Sequence, residues 1–179
     1  MQWRSGDDHY GVVAAGLHCT SAFVIAVLLA TGFAAASETD AANKLQLLRA
    51  HAIMGGGVAV LTVMRLVWWF FVDKKPGYFN SSDWQRFAAT NVHRLFYLVI
   101  AILVISGLRT VILFDLMRIL LGEQSAVVPE ITQKPPRLVH GLAARLLMAL
   151  IALHVAAALY HQFLGRNRIL SRMGLGHRS

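Results

Sequence analysis

Four long stretches of the sequence are apolar and almost free of charge, and they constrain the fold more than any other feature. They cover approximately residues 11–36, 48–72, 91–114 and 138–164. About 20 apolar residues are enough to cross a bilayer as a helix, and a backbone inside lipid must satisfy its own hydrogen bonds. The sequence therefore predicts an all-α integral membrane protein, a four-helix bundle that forms one domain over residues 1–179.

The composition excludes the main alternatives to a membrane protein. Only 15% of the residues are charged and 56% are hydrophobic, whereas soluble domains carry about 25% charged residues. A disordered chain would need low hydrophobicity, and an ordinary soluble domain of this size would need more charge to cover its surface. The single cysteine, Cys19, excludes a disulfide framework and a cysteine-based metal centre. We find no internal repeat at a fixed period.

The basic residues predict the orientation of the chain. With four spans, both termini lie on the same side of the membrane. The C-terminal tail has four arginines and no acid: Arg166, Arg168, Arg172 and Arg178. The second loop adds Lys74, Lys75 and Arg86 against two acids. By the positive-inside rule both termini are predicted to be cytoplasmic. The net charge of +8 is then explained by topology and by anionic lipid, and we expect no nucleic-acid partner.

Histidines are the unusual residues of the predicted spans. Six of the eight lie in or beside them: His18, His51, His93, His140, His154 and His161. Polar residues inside a membrane are costly and usually face the interior of a bundle. One such histidine could simply bond to a neighbouring helix. Six of them at matching depths and on matching faces indicate a bound cofactor.

The fourth span shows how these histidines pair. His140 and His154 are 14 residues apart, which is about 21 Å of helical rise and only about 40° around the axis. One helix face therefore presents two imidazoles at two membrane depths. Depth counted from the span ends pairs His154 with His18 on the cytoplasmic side and His140 with His51 on the outer side. His93 is shallower than His154 and fits less well as an inner ligand.

Opposed imidazoles in an apolar setting are typical of haem, whose iron takes one axial ligand from each side. Zinc would need four ligands, and no further ligands are expected at these depths.

Gly55 begins a glycine triplet that could leave room for a macrocycle or allow close helix packing. Arg65 repeats the face of His51 near the inner pair, where it could neutralise a haem propionate or snorkel to the interface.

His161 follows His154 by seven residues on nearly the same face, and it matches the shallow depth of His93. Two titratable side chains at this depth suit a quinone head group, whose reduction requires protons close to the electron donor. The alternative is a pair of interfacial histidines in contact with headgroup water.

With these residues in place, the sequence resembles the bacterial cytochrome b561 family, small four-helix di-haem membrane proteins. The resemblance covers nearly the whole chain and rests on the ordered histidines and their neighbours: Leu17 and His18; His51, Gly55, Arg65 and Trp68; His93 and Ser106-Gly107-Leu108; His140 and the run Leu153 to Phe163. One departure is Cys19, where the family often has tryptophan.

The resemblance implies two b haems, one held by His18 and His154 and the other by His51 and His140, in a bacterial inner membrane. It also implies electron exchange with ubiquinone at the inner haem. Some members are superoxide:ubiquinone oxidoreductases, which oxidise periplasmic superoxide to dioxygen. Other relatives are haem subunits that connect a partner dehydrogenase to the quinone pool. We expect the first activity, with the second as the alternative.

Capture of superoxide would benefit from positive potential at the outer haem. Arg137, Lys134 and Arg49 are the candidate catalytic residues for this role, and Arg137 lies three residues before His140. Acidic residues on the same side nearly balance the basic ones, so a positive funnel requires these acids to point elsewhere. A histidine-lined transporter without haem is a weaker alternative, because the spans lack carboxylates.

Overall fold

All regular structure in the described part of the chain is helical. The computed structural model describes residues 2–7, 9–77, 82–121, 134–164 and 172–173. The helices are α1 (Val12–Ser37), α2 (Ala41–Val67) with a π-helical turn at Trp68–Val72, α3 (Asp83–Leu113), α4 (Leu116–Leu120) and α5 (Pro135–Phe163). Four of them, counting α2 together with its π-helical turn, are long and apolar enough to cross a membrane. The all-α membrane architecture is confirmed, and the cytoplasmic position of the termini stays a prediction.

Two helices begin earlier than the predicted spans. Helix α2 begins at Ala41 instead of 48, because the Asp40 side chain accepts a hydrogen bond from the Asn43 amide at 2.9 Å and caps the helix. Helix α3 begins at Asp83 instead of 91, where Ser82 forms a capping box. The predicted span ends lie where charge begins, but these helices continue beyond the apolar stretch. They therefore include residues 41–47 and 83–90, which lie between the predicted spans.

The start of α5 also differs from the expectation. The predicted span begins at 138 and leaves Pro135 and Pro136 in the preceding loop, but the two prolines form the first turn of the helix. Proline is well tolerated there, because its missing N–H would have no intrahelical partner and its φ is already helical. Arg137 consequently lies in the first turn of α5, and His140 in the second.

The bundle consists of two helix pairs. Helix α1 packs along α2 and α3 packs along α5, whereas α2 and α3 touch much less extensively. The buried core lies mainly within the second pair, with one contribution from α2: Val58, Val99, Ile100, Ala143, Leu147 and Leu150. The interface between the two pairs therefore brings side chains of α1 and α2 opposite side chains of α3 and α5.

The N-terminal segment is fixed to the end of α2 through Asp73. The carboxylate of Asp73 accepts hydrogen bonds from the Ser5 hydroxyl at 2.8 Å and the Ser5 amide at 3.0 Å. It also accepts bonds from the Trp68 indole at 3.1 Å and the Lys74 amide at 2.9 Å. Burial alone would raise the pKa of this carboxyl, but these bonds outweigh it and hold the pKa below its usual value. Asp73 is therefore an ionised anchor for the first residues.

Part of the C-terminal tail meets the same end of the bundle. The Tyr10 amide donates to the Arg172 carbonyl at 2.9 Å, and the Arg172 guanidinium donates to the Gly77 carbonyl at 2.8 Å. The three other arginines used to predict the topology lie outside the described residues: Arg166, Arg168 and Arg178. The described residues of the N-terminal segment and of the tail thus meet near the end of α2.

Candidate functional site

His51 and His140 face each other across the interface between the helix pairs, and we call them the outer pair. His51 lies on α2 and His140 on α5. Their ring centroids are 6.0 Å apart, and the ring planes make an angle of 69°. Both residues are half-buried. The structure therefore brings together the two histidines that depth counting placed on the outer side.

His18 and His154 form the second facing set, which we call the inner pair. Their ring centroids are 6.3 Å apart with an interplanar angle of 52°. His18 lies on α1 and His154 on α5, so this pair also has one member from each helix pair. Because His140 and His154 share α5, a single helix contributes one imidazole to each pair at two depths.

The separation within each pair fits an iron porphyrin. Metal–imidazole bonds are about 2.0–2.1 Å and the ring centroid lies ~1.1 Å beyond the nitrogen, so two axial imidazoles hold their centroids roughly 6 Å apart. The measured separations of 6.0 and 6.3 Å agree with this value. Among the described residues, no group of three or more His, Cys, Asp or Glu side chains is placed to hold a metal ion. The pairs thus suit a cofactor that brings its own equatorial ligands.

The glycine triplet beside His51 lies in open space. A Cβ atom built at Gly55, Gly56 or Gly57 would meet no atom within 4 Å. Helix α2 is therefore not pressed against another helix here, which argues against the close-packing interpretation of the triplet. Gly56 and Gly57 are exposed, whereas Gly55, one turn from His51, is half-buried, so Gly55 is the member of the triplet that could leave room for a macrocycle.

His93 lies next to the inner pair, although the sequence placed it at a shallower depth. Its ring centroid is 5.7 Å from that of His154, and Phe96 approaches His154 to 5.5 Å. This proximity arises because α3 and α5 pack side by side. His154 therefore has two histidine neighbours, and of these His18 is the one that comes from the opposite helix pair.

Arg65 points into the bundle and does not snorkel to the interface. Its Nη2 atom is 3.3 Å from Nδ1 of His18, and its guanidinium lies 5.7 Å from the centre of the Tyr97 ring. A guanidinium can only donate hydrogen bonds, so Nδ1 of His18 accepts here and the ring proton is on Nε2. Metal binding through Nε2 of His18 would then require Arg65 to turn to another acceptor, such as a carboxylate.

Positive charge is concentrated near the inner pair. Burial, and then the charges of Arg65 and Arg94, lower the pKa of Lys75, so both guanidinium groups lie within electrostatic range of Lys75. An anionic group such as a propionate would be stabilised here.

His161 lies at the end of α5, where its ring centroid is 5.5 Å from that of Tyr160.

The three cations predicted to attract an anion lie at the start of α5 and about two turns into α2. The charge of Arg137 acts on both His51 and His140, so it lies close to the outer pair. Lys134 directly precedes α5 and is its N-cap residue. Arg49 precedes His51 by two residues on α2, and its Nη2 atom is buried.

Sequence reasoning missed the residues that hold the outer histidines. Nδ1 of His51 is 3.2 Å from Oγ1 of Thr31, and Nδ1 of His140 is 3.2 Å from Oγ of Ser106. Ser106 belongs to the residues of the family resemblance, whereas no sequence pattern discussed above includes Thr31. A signal was present, because each hydroxyl residue is followed by glycine and preceded by leucine three positions earlier.

A family model described as prokaryotic cytochrome b561 matches residues 9–176. Neither the curated proteins nor the solved structures gave a significant match. The matched region contains the four spans and all six histidines described above. Members of this family bind haem b and transfer electrons across membranes. The chain therefore belongs to the prokaryotic cytochrome b561 family and is a multi-pass bacterial membrane protein for haem b electron transfer.

Proposed function

We propose that the chain oxidises superoxide at the outer pair and reduces ubiquinone beside the inner pair, with one b haem held by each pair. The observation that carries this proposal is the presence of two facing imidazole pairs at two depths of one bundle, 6.0 and 6.3 Å between ring centroids. Two such sites span the membrane in series, which is the arrangement that electron transfer across it requires.

A haem at each pair would supply a one-electron carrier, and two histidines holding it would favour electron transfer over oxygen binding. His51 and His140 would hold one haem and His18 and His154 the other. Two superoxide anions each lose one electron and leave as dioxygen. One ubiquinone takes up both electrons together with two protons and becomes the quinol.

The start of α5 supplies the charge that would attract superoxide. Arg137 acts on both outer histidines, and Lys134 adjoins it at the N-cap. The positive end of the α5 dipole points the same way, and no side chain caps this end by a hydrogen bond among the described residues. Arg49, two residues before His51 on α2, adds a third cation at this level of the bundle. Together they favour approach of a small anion to the outer pair.

The inner end has groups that suit a quinone. His93 lies 5.7 Å from His154 by ring centroids, close to where electrons would arrive. His93 and His161 would supply the two protons. The positive field of Arg65 and Lys75 would stabilise negative charge that develops on the quinone oxygens.

One surface feature favours the alternative of an electron-transfer subunit. The short helix α4 follows α3 at the predicted outer end, and its exposed apolar side chains include Met117, which is 48% exposed. Leu121, directly after the helix, is 80% exposed. A partner dehydrogenase docked here would replace superoxide as the electron donor.

We expect Arg137→Gln to slow superoxide-dependent quinone reduction about tenfold at low ionic strength, because steering by a local charge contributes factors of this size. The salt dependence of the remaining rate should also be weaker. Quinol formation is measured in purified protein at several ionic strengths. The matched control is Arg86→Gln, which removes the same charge from the predicted cytoplasmic side, where Arg86 pairs with Asp83.

Equal rates for the wild type and Arg137→Gln at every ionic strength would remove electrostatic capture from the account. A wild-type protein that reduces quinone from a chemical reductant but does not react with superoxide would instead favour the partner-dehydrogenase alternative.

A further inference from the structure

The two outer histidines have equivalent surroundings on different helices. Beside each of them a neighbouring helix places a leucine carbonyl, a hydroxyl residue three positions later and a glycine after that. We call these groups cradles: the α1 cradle is Leu28, Thr31 and Gly32, and the α3 cradle is Leu103, Ser106 and Gly107. The first contacts His51 and the second contacts His140.

In the α1 cradle the hydroxyl proton is directed at its own helix. Oγ1 of Thr31 donates to the carbonyls of Val27 at 2.9 Å and Leu28 at 3.2 Å. Its lone pairs are left for Nδ1 of His51, which is 3.2 Å away. The Leu28 carbonyl, a second acceptor, lies within range of the His51 imidazole. The Thr31 oxygen is therefore placed as an acceptor toward Nδ1.

The α3 cradle repeats this arrangement. Oγ of Ser106 donates to the carbonyls of Ile102 at 2.6 Å and Leu103 at 3.2 Å. Nδ1 of His140 lies 3.2 Å from this oxygen and 3.0 Å from the Leu103 carbonyl. Nδ1 of His140 is again surrounded by acceptors.

The acceptors beside each ring determine the tautomer of His51 and of His140. A neutral imidazole carries one N–H and one lone pair, and a proton on Nδ1 satisfies the acceptors in each cradle. The lone pair is then on Nε2, the nitrogen available to a metal. The partner of Nδ1 sets which nitrogen ligates.

The glycines let the rings approach the neighbouring helix. A Cβ atom at Gly32 would lie 3.0 Å from Cε1 of His51, and a Cβ atom at Gly107 would lie 3.3 Å from Cε1 of His140. Both distances are shorter than ordinary van der Waals contact, so an added methyl group would push the ring away. The glycines therefore define where each ring lies against its cradle.

We propose that the two cradles position His51 and His140 and fix both in the Nδ1-protonated tautomer, so that the outer site is organised for an iron before the iron binds. This inference rests on the proposed function in one respect, namely that Nε2 binds a haem iron. The inner site differs, because Nδ1 of His18 faces the donor Arg65 at 3.3 Å.

The first test uses haem-free protein and ring-nitrogen NMR shifts. Nδ1 should be protonated and Nε2 unprotonated in His51 and His140, and the reverse should hold in His18. Thr31→Val should weaken the preference at His51, and Ser106→Ala should weaken it at His140, because in each variant one acceptor is lost and the leucine carbonyl remains. The Nε2-protonated tautomer at both outer histidines in the wild type would overturn the proposal.

The second test uses the haem-loaded protein. Thr31→Val and Ser106→Ala should shift the midpoint potential of the outer haem upward, because the loss of an acceptor at Nδ1 makes the ligand less basic and destabilises oxidised iron. The inner haem should keep its potential. The conservative variants Thr31→Ser and Ser106→Thr should restore the wild-type value. The control is Ser37→Ala, whose hydroxyl on α1 bonds the Phe33 and Ala34 carbonyls.

Glycine variants test the positioning of the rings. Gly32→Ala and Gly107→Ala should change the low-spin EPR signal of the outer haem, with the larger change in Gly32→Ala because its contact is closer. Gly16→Ala is the matched control on α1, because a Cβ atom there meets nothing within 4 Å.

The outcomes separate the two proposals. Unchanged potentials and EPR signals in all four cradle variants, or equal changes at both haems, would overturn the cradle assignment. A wild type that binds no haem although the NMR tautomers are as expected would refute the proposed function and leave the cradle assignment supported.

Discussion

Replacing His140 with alanine is expected to remove one of two haems and to leave the other in place. The ring of His140 faces His51 at 6.0 Å between centroids, and no third histidine has a ring contact with either of them among the described residues. Loss of one axial ligand therefore leaves the outer iron with one protein ligand. The inner pair is formed by His18 and His154 and is independent of it. His51→Ala should have the same effect.

The measurement is haem content per chain, with a redox titration to resolve the two haems. We expect the haem content to fall by about half in His140→Ala, because one of two bis-histidine sites is lost. His161→Ala is the matched control, since it removes a histidine from the same helix and should keep both haems. Loss of neither haem, or equal loss of both, would contradict the pairing.

The largest effect at the inner end is expected from His18→Ala, which should remove the inner haem, whereas His93→Ala should retain it. Both rings approach His154, at 6.3 and 5.7 Å between centroids. Helix α3, which carries His93, packs against α5 on the same side of the bundle. Two axial ligands must face each other across the porphyrin, and of the two candidates His18 belongs to the opposite helix pair.

The spectrum and haem content of the two variants decide the ligand. His93→Ala should keep two haems and lose quinone reduction, as expected for a proton donor beside the quinone. The reverse result, with the inner haem lost in His93→Ala and retained in His18→Ala, would reassign the ligand. Retention of the inner haem in both variants would mean that the inner pair is not a haem site.

The four helices were predictable because a bilayer excludes charge, so the gaps between charged residues mark the spans directly. Their ends were not, because a helix is ended by its local capping residues. Asp40 and Ser82 extend α2 and α3 into polar sequence. The predicted spans therefore agree with the structure in their apolar parts and differ at the ends.

The pairing of the histidines was predictable because it depends on rise and angle along a helix. His140 and His154 lie on one helix, so their separation and common face follow from helical geometry alone. The approach of His93 to His154 depends on which helices are neighbours, and the sequence does not contain that information. The position of Arg65 near the inner pair was predictable from its spacing to His51, whereas its contact with Nδ1 of His18 depends on how α1 packs against α2.

The cradles were missed for a related reason. Thr31 and Ser106 appear in the sequence as ordinary hydroxyl residues of apolar helices, where such side chains commonly bond their own backbone. Their relation to His51 and His140 arises across helix interfaces. The pattern of leucine, hydroxyl residue and glycine has no fixed period along the chain. Its relation to the histidines becomes visible only when the paired helices are known.

The most direct test of the account is the ratio of iron porphyrin to polypeptide in purified protein, read with its reduced-minus-oxidised visible spectrum. The account predicts two b-type haems per chain, both low-spin with two imidazole ligands. A single haem per chain, or a colourless protein after expression with sufficient iron and haem precursor, would contradict it.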